Sequence, residues 1–269
     1  MKIGKETIPR TSICTSDAHT IVVRGRDLSK DLIGKIGFVE HFFLLLVGRM
    51  PSAGEMAVLN ATLVAIAEHG LVPSVQAARM TLAAAPDAMQ GAVAAGILGC
   101  GSVVLGSSET AGRMYAEIAA AVDGGAPLEQ AALDVPRVWR AAGKSVPGYG
   151  HPLHKERDER VDALFAVARA AGTDLSFVRI AEAVEARMPE IVGRPLKLNV
   201  SGAIPSVLLG AGFPVVALKG VPILARTAGL IAHLVEEIAQ PAGFALSYQA
   251  TREVRYEGDV PPGFGEGAA

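Results

Sequence analysis

The residues best suited to chemistry meet in one irregular segment, Val146-Pro147-Gly148-Tyr149-Gly150-His151. Two glycines around a tyrosine permit unusual backbone angles and close approach of a ligand. His151 at the exit can serve as an acid, a hydrogen-bond donor or the partner of a carboxylate. The other reading of the same segment is a connection between helices with an incidental histidine. His151 and His154 form an H-x-x-H pair, with Asp158 one helical turn further on. A metal there would need a third ligand and groups to orient it, and no metal is expected. His69 precedes Gly70 at the expected end of a helix, where the helix dipole favours a cationic ring. Capping and ligand binding both fit it. Arg160, Arg226 and Arg252 are spread along the C-terminal half, and Arg226 interrupts an otherwise apolar helix, Leu224 to Leu230. A charge so placed needs a partner, from the protein or from a ligand, and a guanidinium suits a carboxylate. Gly99-x-Gly101 is no dinucleotide fingerprint, because Val104 stands where the third glycine belongs.

Helices must position these groups. Ser52-Ala53-Gly54-Glu55 has the form of a capping box, and its helix should run to about Glu68. Gly70 is expected at the helix C-cap, and Ser74 is expected to cap the next helix, which stops near Pro86. Further helices are expected from Glu40 to Gly48, from Asp87, from Ser107 to Val122, from Pro127 to Gly143, from Arg157 to Ala171, from Asp174 to Met188 and from Leu218 to Ile238. Thr20 to Arg24 reads as a strand or extended arm. The tail after Pro241 reads as irregular.

The composition fits this picture. The 269 residues are 50% hydrophobic, 19% charged and 5% aromatic, with a mean hydropathy of +0.35. A chain this apolar can bury a large core and is not disordered. A net charge of −2 gives no global attraction to nucleic acid or to an anionic membrane. Asp87 to Glu109 encloses roughly 20 residues without charge, long enough to span a bilayer. It holds glycines and Gln90 and lacks flanking basic clusters, so a buried helix is expected. Cys14 and Cys100 lack a disulfide or metal-ligand pattern. Cys100 is expected to be a buried thiol, and a cytoplasmic location follows as the default.

In order and spacing these segments resemble the citrate synthase superfamily. Thr11-Ser12-Ile13 and Arg24-Gly25-Arg26-Asp27-Leu28 are similar to the family's opening segment. Val39 to Leu46 with Gly48-Arg49-Met50-Pro51 is similar to its "LLLxGxLP" segment. Ala67-Glu68-His69-Gly70 with Ala77-Ala78-Arg79 resembles its histidine junction. Val146 to His151 followed by Arg160 resembles its signature loop, and Ala225 to His233 its arginine helix.

The resemblance implies an all-α fold, a large helical domain of about 1–143 and 203–269, and a small one of about 144–202 that closes on coenzyme A. It implies a homodimer or higher homo-oligomer, with no nucleic-acid or membrane partner and no bound cofactor. The CoA thioester would be substrate, held by Pro147, Gly148, Tyr149, Gly150 and Lys155. His69, His151, Arg160 and Arg226 would hold a di- or tricarboxylate, with Arg252 (or Arg255) near the C-terminus reaching a neighbouring subunit.

Two departures narrow the branch. Synthases carry Gly-Pro-Leu-His-Gly, but this chain has Val103-Val104-Leu105-Gly106. Leu105 cannot stabilise an enolate as that histidine does. This resembles the citryl-CoA lyase branch, which includes the lyase module of ATP-citrate lyase, as does Leu198-Asn199-Val200. The branch's catalytic aspartate would come next, and here it is Ser201, followed by Gly202. The resemblance therefore implies a lyase that splits a 3-hydroxy-3-carboxyacyl-CoA into acetyl-CoA and a 2-oxo acid, oxaloacetate from citryl-CoA. His69, His151 and Ser201 would be its catalytic residues. A condensing synthase-like enzyme and a catalytically impaired CoA-binding or oxo-acid-binding paralogue are the alternatives.

Overall fold

The structure is a computed structural model and describes residues 9–101, 105–150 and 158–264. It opens with a small antiparallel sheet of three strands, β1 (Cys14–Ser16), β2 (Ile21–Val23) and β3 (Arg26–Asp27), with Cys14 opposite Val23 and Val22 opposite Asp27. Arg24 (φ 50°) and Gly25 (φ 80°) form the turn between β2 and β3, the positive-φ pair that a tight hairpin demands. Arg24 then reaches out, donating to Ser12 Oγ (2.8 Å) and to the Leu45 carbonyl (3.1 Å).

All else of regular structure among the described residues is helical. The helices are α1 (Phe38–Val47), α2 (Ala53–Ala67), α3 (Pro73–Ala84), α4 (Met89–Leu98), α5 (Gly106–Asp123), α6 (Leu128–Ala141), α7 (Glu159–Ala170), α8 (Ser176–Val192), α9 (Val200–Gly210), α10 (Gly220–Ala239) and α11 (Gly243–Glu253), with short turns at Leu28–Leu32 and Val215–Ala217. The all-α expectation holds. The capping box before α2 is formed: Ser52 Oγ accepts from the Glu55 amide (3.2 Å) and the Glu55 carboxylate accepts from the Ser52 amide (2.7 Å).

Other boundaries differ from expectation for physical reasons. Ser74 does not cap α3. Pro73 takes the first helical position, where its missing N–H costs nothing, and Ser74 is buried inside the helix. The uncharged stretch from Asp87 to Glu109 is two helices, α4 and the start of α5, not one span. Among the described residues, the helix long and apolar enough to cross a membrane is instead Val215–Ala239. α9 continues through Pro205, which lies inside the helix and withholds the N–H that the Ser201 carbonyl, four residues earlier, would otherwise receive. The tail after Pro241 is not irregular, for α11 occupies it.

The chain divides into two compact units, Met1–Glu68 with Cys100–Arg226, and His69–Gly99 with Thr227–Ala269. α7 and α8 pack on α2, α5, α6 and α9 within the larger unit. Its core is built on Phe43, Leu59, Tyr115, Phe165, Met188, Ile204 and Leu208. In the smaller unit, Val75, Ala78, Leu82, Ala92, Leu230 and Leu234 make the core. Buried Arg79 on α3 donates there to Glu237 (2.6 Å), Glu236 (2.6 Å) and the Gln240 carbonyl (3.1 Å). Glu237 accepts in turn from the Gly243 amide (2.7 Å), satisfying an N–H that the start of α11 would leave without a partner.

Close approach inside the larger unit depends on glycine. Gly210, the last residue of α9, lies so near the Asp174 carbonyl that a Cβ would overlap it, while its own carbonyl accepts from the Asp174 amide (3.2 Å). Gly210→Ala should therefore cost about 1–3 kcal/mol and several degrees of Tm by calorimetry. An unchanged Tm would mean that this contact is not a packing constraint.

Candidate active site

The Pro147–Gly150 segment is held by the chain entering α9. The Asn199 amide donates to the Gly148 carbonyl (2.9 Å), the Gly150 amide to Lys197 O (2.7 Å), and Asn199 Nδ2 to the Gly150 carbonyl (2.6 Å). Gly148 (φ 88°) and Gly150 (φ 78°) both take the left-handed region that favours glycine. A Cβ on Gly148 would stand 2.7 Å from the Gly202 Cα, so loop and helix touch backbone to backbone. Pro147, Gly148 and Tyr149 are buried and Gly150 is half-buried. The Tyr149 ring therefore faces inward. Its hydroxyl lies 3.0 Å from that of Tyr115 on α5 and 2.9 Å from the Ala181 carbonyl on α8.

Asn199 also caps α9, its side-chain oxygen accepting from the Ser201 amide (2.9 Å). Ser201 thus sits in the first turn of α9, half-buried, and its hydroxyl has no hydrogen-bond partner among the described residues.

Asp158 fixes the neighbouring wall. Its carboxylate caps α7 through the Arg160 amide (3.2 Å), receives the Arg160 guanidinium at two points (2.9 Å each), and accepts from the Val200 amide of α9 (3.0 Å). Burial pushes its carboxyl up, but Arg160 and the Val200 amide outweigh burial and hold it below the ordinary carboxylate value. Arg160 is accordingly half committed. Its Nε and Nη2 serve Asp158, while the guanidinium keeps further donors and is partly exposed.

Arg226 on α10 presents the opposite case. Its side chain is buried, and its Nε and Nη1 have no hydrogen-bond partner among the described residues. The internal counter-ion considered for it is not there among the described residues. Leu105, at the start of α5, is buried with φ at 69°, a region that a bulky side chain seldom takes and that marks strained functional segments.

Pro147, Gly148, Tyr149, Gly150, Arg160 and Ser201 thus come together around the N-termini of α7 and α9, and Arg226 belongs to the same unit. His69 is exposed, two residues beyond the end of α2, in the smaller unit. Arg252 is exposed on α11 of that unit, over the Tyr248 ring at 5.8 Å. His151, His154 and Lys155 lie outside the described residues. Among the described residues, no group of three His, Cys, Asp or Glu side chains could hold a metal. Asp158 and Tyr115 are the organisers that sequence reasoning missed. An aspartate directly before a helical pattern is an N-cap signal. Tyr115, one tyrosine among alanines on a helix, carries no signal at all.

The family model "Citrate synthase, C-terminal domain" matches residues 35–243. The chain belongs to the citrate synthase family. It resembles the structure of citryl-CoA lyase from Hydrogenobacter thermophilus, with 32% identity, a TM-score of 0.82, and coverage of 95% of this chain and 96% of that one. A second similar fold is ATP citrate lyase from Methanothrix soehngenii, in complex with citrate and coenzyme A. There the identity is 23% and the TM-score 0.73, over 96% of this chain and 43% of that one. Citrate synthase 2 of Bacillus subtilis is 27% identical over 203 residues, 75% of this chain and 52% of its own. The chain thus spans about half the length of that curated relative.

The Asp158 geometry carries a pH dependence. Because folding lowers its pKa, Asp158 stabilises the fold at pH values above about 4, and that stability is lost as pH falls through the lower folded value. Asp158→Asn should cost about 1.5–3 kcal/mol at neutral pH and lose less than the wild type on acidification. Thermal melts from pH 7 down to pH 3 test this, and parallel declines of the two proteins would refute it.

Proposed function

We propose that this protein is a citryl-CoA lyase-like enzyme. It cleaves citryl-CoA, or a close 3-hydroxy-3-carboxyacyl-CoA, into acetyl-CoA and a 2-oxo acid, with the CoA thioester as substrate and no resident cofactor. The observation that carries the reading is the buried guanidinium of Arg226, whose Nε and Nη1 have no hydrogen-bond partner among the described residues. An uncompensated buried cation costs several kcal/mol, and a protein retains one where an anion comes to meet it. A substrate with several carboxylates is such an anion. The family membership and the 32% identity to a citryl-CoA lyase over nearly both chains support the same reaction class.

In this reading Arg226 and the uncommitted donors of Arg160 clamp the substrate carboxylates. The carbon–carbon bond breaks when the tertiary hydroxyl loses its proton and its oxygen becomes the ketone of the oxo acid. The bonding electrons pass to the acetyl group as a thioester enolate, which is then protonated. His151 and His69 carry that proton traffic. Ser201, with a hydroxyl free to donate, hydrogen-bonds the thioester oxygen where negative charge develops. The Pro147–Gly150 loop and Lys155 hold coenzyme A, and segment 144–202 is the part that closes on it. A homodimer, with Arg252 serving the neighbour's site, belongs to the same proposal. So does a cytoplasmic location.

Ser201 in place of an aspartate favours a second reading, a paralogue that binds these ligands without turning them over. Release of oxaloacetate from citryl-CoA, followed with malate dehydrogenase and NADH, separates the two. Turnover supports the lyase. Thermal stabilisation by CoA and citrate without turnover supports the binding protein. No cleavage and no stabilisation would overturn both. Arg226→Met tests the carrying observation. The free protein should melt no lower than the wild type, because a buried unpaired charge has gone. The ligand should bind more weakly by about 2–5 kcal/mol. A large fall in the Tm of the free protein would show that Arg226 is structural.

A further inference from the structure

The hydroxyls of Tyr115 and of Tyr149, a residue of the candidate loop, have no role in the chemistry above. Both rings are buried, at 0% and 7% exposure. Their hydroxyls stand 3.0 Å apart, and Tyr149 Oη is 2.9 Å from the Ala181 carbonyl. That carbonyl can only accept, so the single Tyr149 proton goes to it. Tyr115 must then donate to Tyr149. The result is a directed chain from α5 through the loop to α8. Burial raises both phenols well above their ordinary pKa, so neither ionises and the direction is kept.

Packing alone does not require these hydroxyls, since two apolar rings of the same shape would fill the space at little or no cost. A fully satisfied buried polar chain adds a unique arrangement instead. The arrangement it sets is local. Tyr149 sits between Gly148 and Gly150, the two residues bonded to the α9 entry. The Tyr115 hydroxyl lies only 2.9 Å from where a Cβ on Gly202 would stand, next to Ser201. One side chain thus meets the loop by a hydrogen bond and the first turn of α9 by packing.

We propose that Tyr115 is a positioning residue, whose hydroxyl holds the Pro147–Gly150 backbone at the separation from Ser201 that the CoA thioester needs. The proposal rests on the reading of this loop as the thioester-binding segment.

Tyr115→Phe removes one donor and leaves Tyr149 bonded to Ala181. The KM for citryl-CoA should rise about two- to tenfold, while kcat changes less than twofold. Tyr149→Phe should do at least as much, and the double variant should match Tyr149→Phe alone, because both act on one chain. Amide hydrogen exchange, measured without ligand, should quicken in the peptide covering 146–150 and stay unchanged over α7. A lowered Tm with unaltered KM and unaltered exchange at 146–150 would make the pair merely structural and overturn the proposal. Additive effects in the double variant would overturn it too. If the wild type neither cleaves citryl-CoA nor binds CoA, the functional reading fails. The exchange comparison then still decides whether Tyr115 sets the loop: faster exchange confined to 146–150 upholds that role, and no change refutes it.

Discussion

The site depends on one buried carboxylate. Asp158 ends the loop segment, caps α7, engages Arg160 at two points and holds the first amide of α9. No other described side chain ties both helix N-termini together. Two helix N-termini thus meet at one anion, which both helix dipoles favour. The distance between Arg160 and Ser201 is thereby governed by one rigid group instead of by loop length.

Much of this was legible in the sequence, and the gaps have physical causes. The helical class, the α2 capping box and the placement of most helices followed from apolar periodicity and caps. α9 was hidden because Pro205 and Pro214 resemble breaks, yet the helix runs through Pro205 in its interior at the loss of one ladder bond. α11 was hidden because its start is stabilised by Glu237, six residues before Gly243, within a network centred on Arg79. Local pattern does not reveal a cap supplied by tertiary structure. The site residues divide in the same way. Glycines that flank a tyrosine announce a special backbone. Nothing in the sequence shows that the tyrosine points inward, or that two nitrogens of the buried Arg226 guanidinium lack a partner among the described residues.

At positions 105, 148 and 202 the backbone does most of the shaping. Leu105 holds a positive φ without the glycine that would ease it, a conformation that costs on the order of 1–3 kcal/mol. Gly148 and Gly202 let two main chains meet where any Cβ would part them. Shape at this site is carried largely by main-chain geometry.

Arg226 has a consequence outside the site. A fold that encloses an unmet charge is least stable when empty, and any anion that meets the charge adds RT ln(1 + [L]/Kd) to its stability. In a cell the empty form spends more time open to proteases, and a change of 1–2 kcal/mol alters abundance about severalfold. The amount of this protein would then follow the supply of its own ligand, rising when the anion is plentiful and falling through turnover when it is scarce, with no separate regulator.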